Sequence, residues 1–303
     1  MSRLHFATAP EAPVLQVLTP KAKDLGSFTV KRALPSPQCR MIGPFAFLDQ
    51  MGPAVFGPGQ GIDVRPHPHI GLATVTFLYQ GSMLHADSLG NSLEVRPGEV
   101  NWMTAGHGIT HSERTSDTAR AATFTMEGLQ TWVALPADQE DCAPAFEHFG
   151  ATELPQLTEP GVHVTLILGS LYGETSPCHV YSPIFYADAQ IQAGHGLSLD
   201  SEYTERAFFV TQGQVELAGQ TYEAGQLVVL KPGQDITLTA VADSRLMLLG
   251  GEPLAEPRHL FWNFVSSDPA KIEQAKADWQ AEDWVNGRFT LPPTDQGEFI
   301  PLP

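Results

Sequence analysis

Short apolar runs, each bounded by glycine, proline or an acidic turn, recur along the whole chain. Val, Thr, Phe and Leu dominate them. These residues suit a pleated, half-buried surface, so the pattern predicts strands. Strands are expected over residues 74–78, 92–95, 100–104, 122–127 and 129–135 in the first half, and over 162–168, 184–189, 206–210, 214–217 and 227–230 in the second. Glycine and proline, 27 and 25 in number, are spread throughout and supply the turns that an all-β chain needs. One helix stands apart near the end. Ser267-Asp268-Pro269 offers an N-cap followed by a first-turn proline, and Ile272, Ala275 and Trp279 follow at helical spacing. This short helix is expected to cover the outer face of a barrel, with Trp262 and Trp284 packing beside it.

The strand pattern repeats. FLYQG, ending at Gly81, and RPGEVNWMTAG, ending at Gly106, resemble FFVTQG, ending at Gly213, and EAGQLVVLKPG, ending at Gly233. The spacing from Gly98 to Gly106 equals that from Gly225 to Gly233, while the hairpin before it is five residues shorter in the second copy. A duplicated β-barrel is the simplest account. At 303 residues the chain exceeds a typical single core, so domains of residues 1–140 and 141–303 are expected, joined through the acidic, turn-rich stretch 136–160.

Charge narrows the partners. Lys and Arg total 17 against 34 Asp and Glu, a formal net charge of -17, which disfavours direct nucleic-acid binding. The local basic group of Lys21, Lys23, Lys31 and Arg32 reads as a solvated strand. Cys39, Cys142 and Cys178 are widely spaced and form no CxxC pattern, as expected of reduced thiols. The N-terminal MSRLHFATAPEAPVLQV holds no uninterrupted apolar segment, and no stretch approaches the ~20 apolar residues of a membrane span. A soluble, cytoplasmic protein is expected.

The chemistry concentrates in two places. Pro66-His67-Pro68-His69 and His111-Ser112-Glu113 each place ligand-type side chains two residues apart, and such positions on a strand face the same side. On neighbouring strands of a barrel, three imidazoles and a carboxylate would converge on an interior point and leave part of a metal's coordination sphere open. Pro66 and Pro68 lack N–H groups, so their segment suits a stiff barrel margin rather than a central strand. The repeat provides a control. His67 and His69 align with Leu199 and Ser201, and His111 and Glu113 with Leu238 and Ala240, so the second barrel cannot hold the same metal. His5, His85, His148, His163, His179, His195 and His259 have no spaced partner and are expected to be structural.

The flanking residues add a resemblance. GPFAFLDQMGP, HPHIGLATVTFLYQG, VRPGEVNWMTAGHGITHSERT and GEPLAEPRHLFWNFVSS occur in that order and are similar to segments of the pirin family of bicupins. The resemblance covers nearly the whole chain. It implies two tandem cupin β-barrels of the double-stranded β-helix type with a short C-terminal helix, the N-terminal barrel metallated and the C-terminal one degenerate. It also implies that Glu113 completes the metal set of His67, His69 and His111. One transition-metal ion per chain is expected, Fe(II) being the family-based choice and Mn, Co, Ni, Zn or Cu the alternatives. Many cupins place a ligand Glu four residues after the second histidine, where this chain has Ala73. Asp49 matches a pirin position near the pocket, either orienting a ligand imidazole or serving as a turn residue. Phe45, Phe47, Trp102 and Met103 are pocket-wall or core residues, and His107 either supports a metal ligand, shuttles protons at the rim or is an exposed turn residue.

By the same resemblance, the activity is that of a quercetinase. A flavonol or related enolic small molecule would bind the open metal positions, Glu113 would act as the catalytic base, and O2 would add across the ring with loss of carbon monoxide. The alternative is a non-enzymatic, metal- or redox-responsive protein that regulates or binds a protein partner, although nothing in the chain identifies one. A small-molecule isomerase or metal-storage cupin keeps the fold without the oxygen chemistry.

Overall fold

The computed structural model of the chain describes residues 12–24 and 28–303; His5 and the rest of the first eleven residues lie outside the described residues. Two β-barrels are joined through a shared buried seam, and each sets a long antiparallel sheet against a four-stranded one. In the first barrel the long sheet is built on Phe45–Phe56, Phe124–Ala134, Leu72–Gln80 and Val100–Thr104, adjacent in that order. Its short sheet runs Asp63–His69, Ile109–Arg114, Met83–Asp87 and Ser92–Val95. The second barrel repeats the scheme with Glu205–Gln212, Ser244–Gly251, Ile184–Ile191 and Val162–Leu171 in its long sheet, and Gly196–Leu199, Ile236–Ala240, Gln214–Leu217 and Gln220–Glu223 in its short one.

The strands expected from the apolar runs form, with one correction. The two strands expected over 122–127 and 129–135 form one strand, Phe124–Ala134, whose register shifts between Met126 and Gly128. At Gly128 a Cβ would lie 2.7 Å from Leu78 and from the Phe77 carbonyl, so close strand packing rather than a turn requires the glycine. The expected helix spans Pro269–Gln280, capped by the Asp268 side chain, which accepts a hydrogen bond from Ala270 N. It buries Ile272, Ala275 and Trp279 against Ile70, Phe264, Phe289 and Leu291.

The two interiors differ. The second barrel is filled by a continuous apolar cluster that includes Leu199 and Leu238, the positions aligned with His67 and His111. Apolar packing in the first barrel is divided into two smaller clusters, one containing Phe47, Met103 and Trp132 and the other Val30, Met51 and Met83. Residues of both clusters line the cavity described below. The chain also exchanges elements between barrels. Val14–Leu18 pairs with Leu227–Leu230 of the second barrel, Ala145–Phe149 pairs with Val100–Thr104 of the first, and the chain beyond Gly251 returns to the first barrel.

Candidate metal centre

Among the described residues, Asp63–His69 forms a sheet ladder with Ile109–Arg114 alone, so it is an edge strand of the short sheet and tolerates Pro66 and Pro68. His111 lies opposite His67 and Ile109 opposite His69. Alternation along the strands then turns all three imidazoles into the barrel. Their ring centroids are 4.4 to 5.1 Å apart, and one ligand nitrogen from each lies within 4.8 Å of the other two. The register shifts between His111 and Glu113, bringing Glu113 opposite Val64 on one side and His85 on the other. Glu113 lines the same cavity, although its carboxylate is not part of the tight three-nitrogen group.

Burial sets the electrostatics. His67, His69 and His111 are each at most 6% exposed. Desolvation lowers the His67 pKa to about 4 and holds those of His69 and His111 well below the usual histidine value, so all three rings are neutral near pH 7. His67 Nδ1 donates to Arg65 O at 2.9 Å, and His69 Nδ1 to Asn263 O at 3.1 Å. Both bonds leave Nε2 unprotonated and free to bind a metal. His69 Nε2 and His111 Nε2 are 3.1 Å apart, while the buried His111 Nδ1 has no hydrogen-bond partner. Burial pushes the Glu113 pKa up to about 7. Three neutral, converging imidazoles fit a divalent transition-metal ion, whose charge would also favour ionised Glu113.

A cavity of about 470 Å³ opens over the histidines. One wall is a stack: the Phe47 and Trp132 rings lie 3.9 Å apart at 11°, with the Arg32 guanidinium 4.4 Å from the Phe47 centroid and the His69 ring edge-on to Trp132. Strand register brings Arg32, Asp49, Gln130 and Thr76 into one row across the long sheet. Gln130 Oε1 accepts from Thr76, and Gln130 itself lines the cavity.

The candidate residues divide accordingly. Phe47 and Asp49 line the cavity. Asp49, for which the sequence left an imidazole contact and a turn role open, takes neither: it lies within strand Phe45–Phe56 and accepts two hydrogen bonds from Arg32, at 2.9 and 2.8 Å. Burial raises its pKa and Arg32 opposes that rise. Phe45, Trp102, Met103 and His107 lie outside the cavity lining. A register shift beside Trp132 turns Phe45 into the seam, where it stacks on Tyr186. Trp102 also lies in the seam and donates to His179 O, Met103 packs with Phe47 and Trp132, and His107 is exposed in a turn. Conversely, His85 is buried, hydrogen-bonded to Asp87 at 3.1 Å, stacked on Phe146 and 5.4 Å from the His111 ring. Its place opposite Glu113 depends on a pairing register that no local spacing in the sequence reveals.

Comparisons with known proteins agree with this architecture. Residues 27–133 match the Pirin family model, and residues 186–289 match that of the pirin C-terminal cupin domain. A pirin-like protein of Caulobacter vibrioides is 49% identical over 290 residues, covering 95% of this chain and 98% of its own length. A Pseudomonas aeruginosa protein provisionally described as quercetin 2,3-dioxygenase PA1205 is 42% identical, covering 91% and 87%. The crystal structure of quercetin 2,3-dioxygenase from Acinetobacter baumannii superposes with a TM-score of 0.88 at 36% identity, covering 96% of this chain and 95% of that one.

Proposed function

The chain belongs to the pirin family, and from that premise we propose that it is a metal-dependent dioxygenase acting on flavonols or related enolic compounds with a 3-hydroxy-4-keto unit. The observation that carries the proposal is the buried set of neutral imidazoles beside Glu113, whose pKa burial places at about 7. His67, His69, His111 and Glu113 would hold the ion, with Fe(II) our choice among Fe, Mn, Co, Ni, Zn and Cu. When bound, the ion supplies Lewis acidity that lowers the pKa of an enol hydroxyl.

The protein's own groups then have defined tasks. Glu113, which the charge of the bound ion would keep ionised, accepts the enol proton at a carboxylate oxygen. The Phe47–Trp132 wall packs against the planar rings, and the volume falls within the ~300–1,000 Å³ range of small-molecule sites. Gln130 and the Arg32–Asp49 pair offer hydrogen bonds to hydroxyl groups away from the metal. The net reaction consumes one flavonol and one O2, breaks the enolic ring and releases one carbon monoxide with the cleaved ester product.

The test is anaerobic reconstitution with Fe(II), followed by exposure to quercetin and O2 while flavonol absorbance and O2 uptake are recorded. Metal-dependent loss of both supports the proposal. No turnover across a broad panel of enols, with metal fully bound, would replace it with the non-enzymatic, metal-responsive reading.

A further inference from the structure

The chain after the second barrel does more than cover the first. Its hairpin pairs His259–Phe261 with Phe264–Ser266, and Trp262 at the turn has φ +50°, in the left-handed region. Asn263, also in this turn, presents its main-chain oxygen to His69 Nδ1. The next residues hold that turn against the ligand strand. Val265 N donates to Ile70 O, immediately after His69, and Phe264 bridges to Ile70. At Gly71, with φ +66°, a Cβ would lie 2.0 Å from Val265 O, so the approach requires a residue without one.

The tail returns to the same strands. Ile300 N donates to Pro66 O, immediately before His67. Arg114, immediately after Glu113, donates to Asp295 at 2.6 and 3.0 Å and to Glu298 at 2.9 Å. Trp279 of the C-terminal helix donates to Ile300 O, joining the helix to this strap. Residues adjacent to both ligand pairs are thus tied to a segment far away in sequence.

We propose that residues 259–303 form a positioning element of the metal centre: the Asn263 main-chain oxygen fixes His69 in the Nδ1–H tautomer with Nε2 free for metal, and the strap fixes the hairpin carrying that oxygen. This rests on reading the three histidines as metal ligands. A side-chain substitution at Asn263 does not delete the acceptor, which explains why the role is invisible in a search for ligand-type side chains. Interactions of this kind orient metal-bound imidazoles, and their loss weakens metal affinity by about 10–100-fold.

Two measurements on the full chain test the inference. Nitrogen-15 NMR of the metal-free wild type above neutral pH should show His69 protonated at Nδ1 and unprotonated at Nε2. Zn(II) affinity, measured by chelator competition, should fall about 10–100-fold when one glycine is inserted between Trp262 and Asn263. A glycine inserted between Ala218 and Gly219, in the turn of the second barrel's Gln214–Leu217 and Gln220–Glu223 hairpin, should leave the affinity unchanged. An Nε2–H tautomer at His69, or a folded hairpin variant with wild-type Zn(II) affinity, would overturn the positioning role. If the hairpin variant does not fold, the wild-type tautomer decides. Failure of the wild type to take up Zn(II), Ni(II) or Fe(II) would instead sink the metal reading and this inference with it.

Discussion

His69 Nε2 and His111 Nε2 face each other at 3.1 Å inside the first barrel. Two neutral imidazoles at this separation can share one proton, but a divalent cation uses both lone pairs and draws in His67 as well. Purified protein should therefore contain close to one transition-metal ion per chain. His69→Ala should greatly weaken binding, whereas His179→Ala, at an exposed position, should not. Elemental analysis of both variants checks the assignment, and equal metal retention would refute it.

Metal uptake should release a proton from one identified source. The imidazoles are already neutral near pH 7, while Glu113 titrates at about 7. If the ion binds ionised Glu113, release should approach one proton per ion at about pH 6 and vanish at about pH 8, with affinity falling as pH drops below 7. Calorimetry in buffers of different ionisation enthalpy measures the release. A Glu113→Gln variant that releases as many protons as wild type would assign them elsewhere.

Without metal, the same burial affects stability in opposite directions. The lowered histidine pKa values contribute stability above about pH 6.5 that is lost as pH falls through His67's value of about 4. The raised Glu113 pKa contributes stability below its usual value near 4.5 that is lost as pH rises through about 7. Metal-free Glu113→Gln should thus gain relative stability as pH rises through this window, by up to ~3 kcal/mol at pH 8. Urea unfolding at several pH values reads the difference; a pH-independent difference would show that burial does not shift Glu113 in this way.

Arg32 and Asp49 should behave as a coupled pair. The Asp49 side chain is 4% exposed, so Arg32→Ala leaves a nearly buried carboxylate without its cation. Removal of one partner from a buried ion pair costs ~3–5 kcal/mol, and the 27% exposure of Arg32 reduces that here to ~2 kcal/mol. Adding Asp49→Ala should recover part of the loss in a double-mutant cycle. Strict additivity would mean that the two side chains are not energetically coupled.

Much of this centre was legible because its candidate ligands obey short-range rules. The i, i+2 spacing of His67 with His69 and of His111 with Glu113 identifies strand faces, and Leu199 and Leu238 in the second copy show that the barrel itself does not require ligands. What depends on strand register was not legible. The bulge beside Trp132 turns Phe45 away from Phe47, and Asp49, for which an imidazole contact and a turn role were both open, pairs with Arg32 instead. Gly128 read as a break because close packing and a turn leave the same residue. Asn263 acts through a main-chain oxygen, which every residue possesses.

The proposed dioxygenase activity depends most on Glu113 acting as the base beside the three histidines. Glu113→Gln keeps the side chain's shape and one oxygen donor but removes its charge and basicity. Its metal-normalised flavonol turnover, measured by O2 uptake alongside metal content, should fall ~10²–10⁴-fold while measurable metal remains bound. The exposed His107→Ala variant should stay near wild type. A fully metallated Glu113→Gln protein with wild-type turnover would contradict the base role.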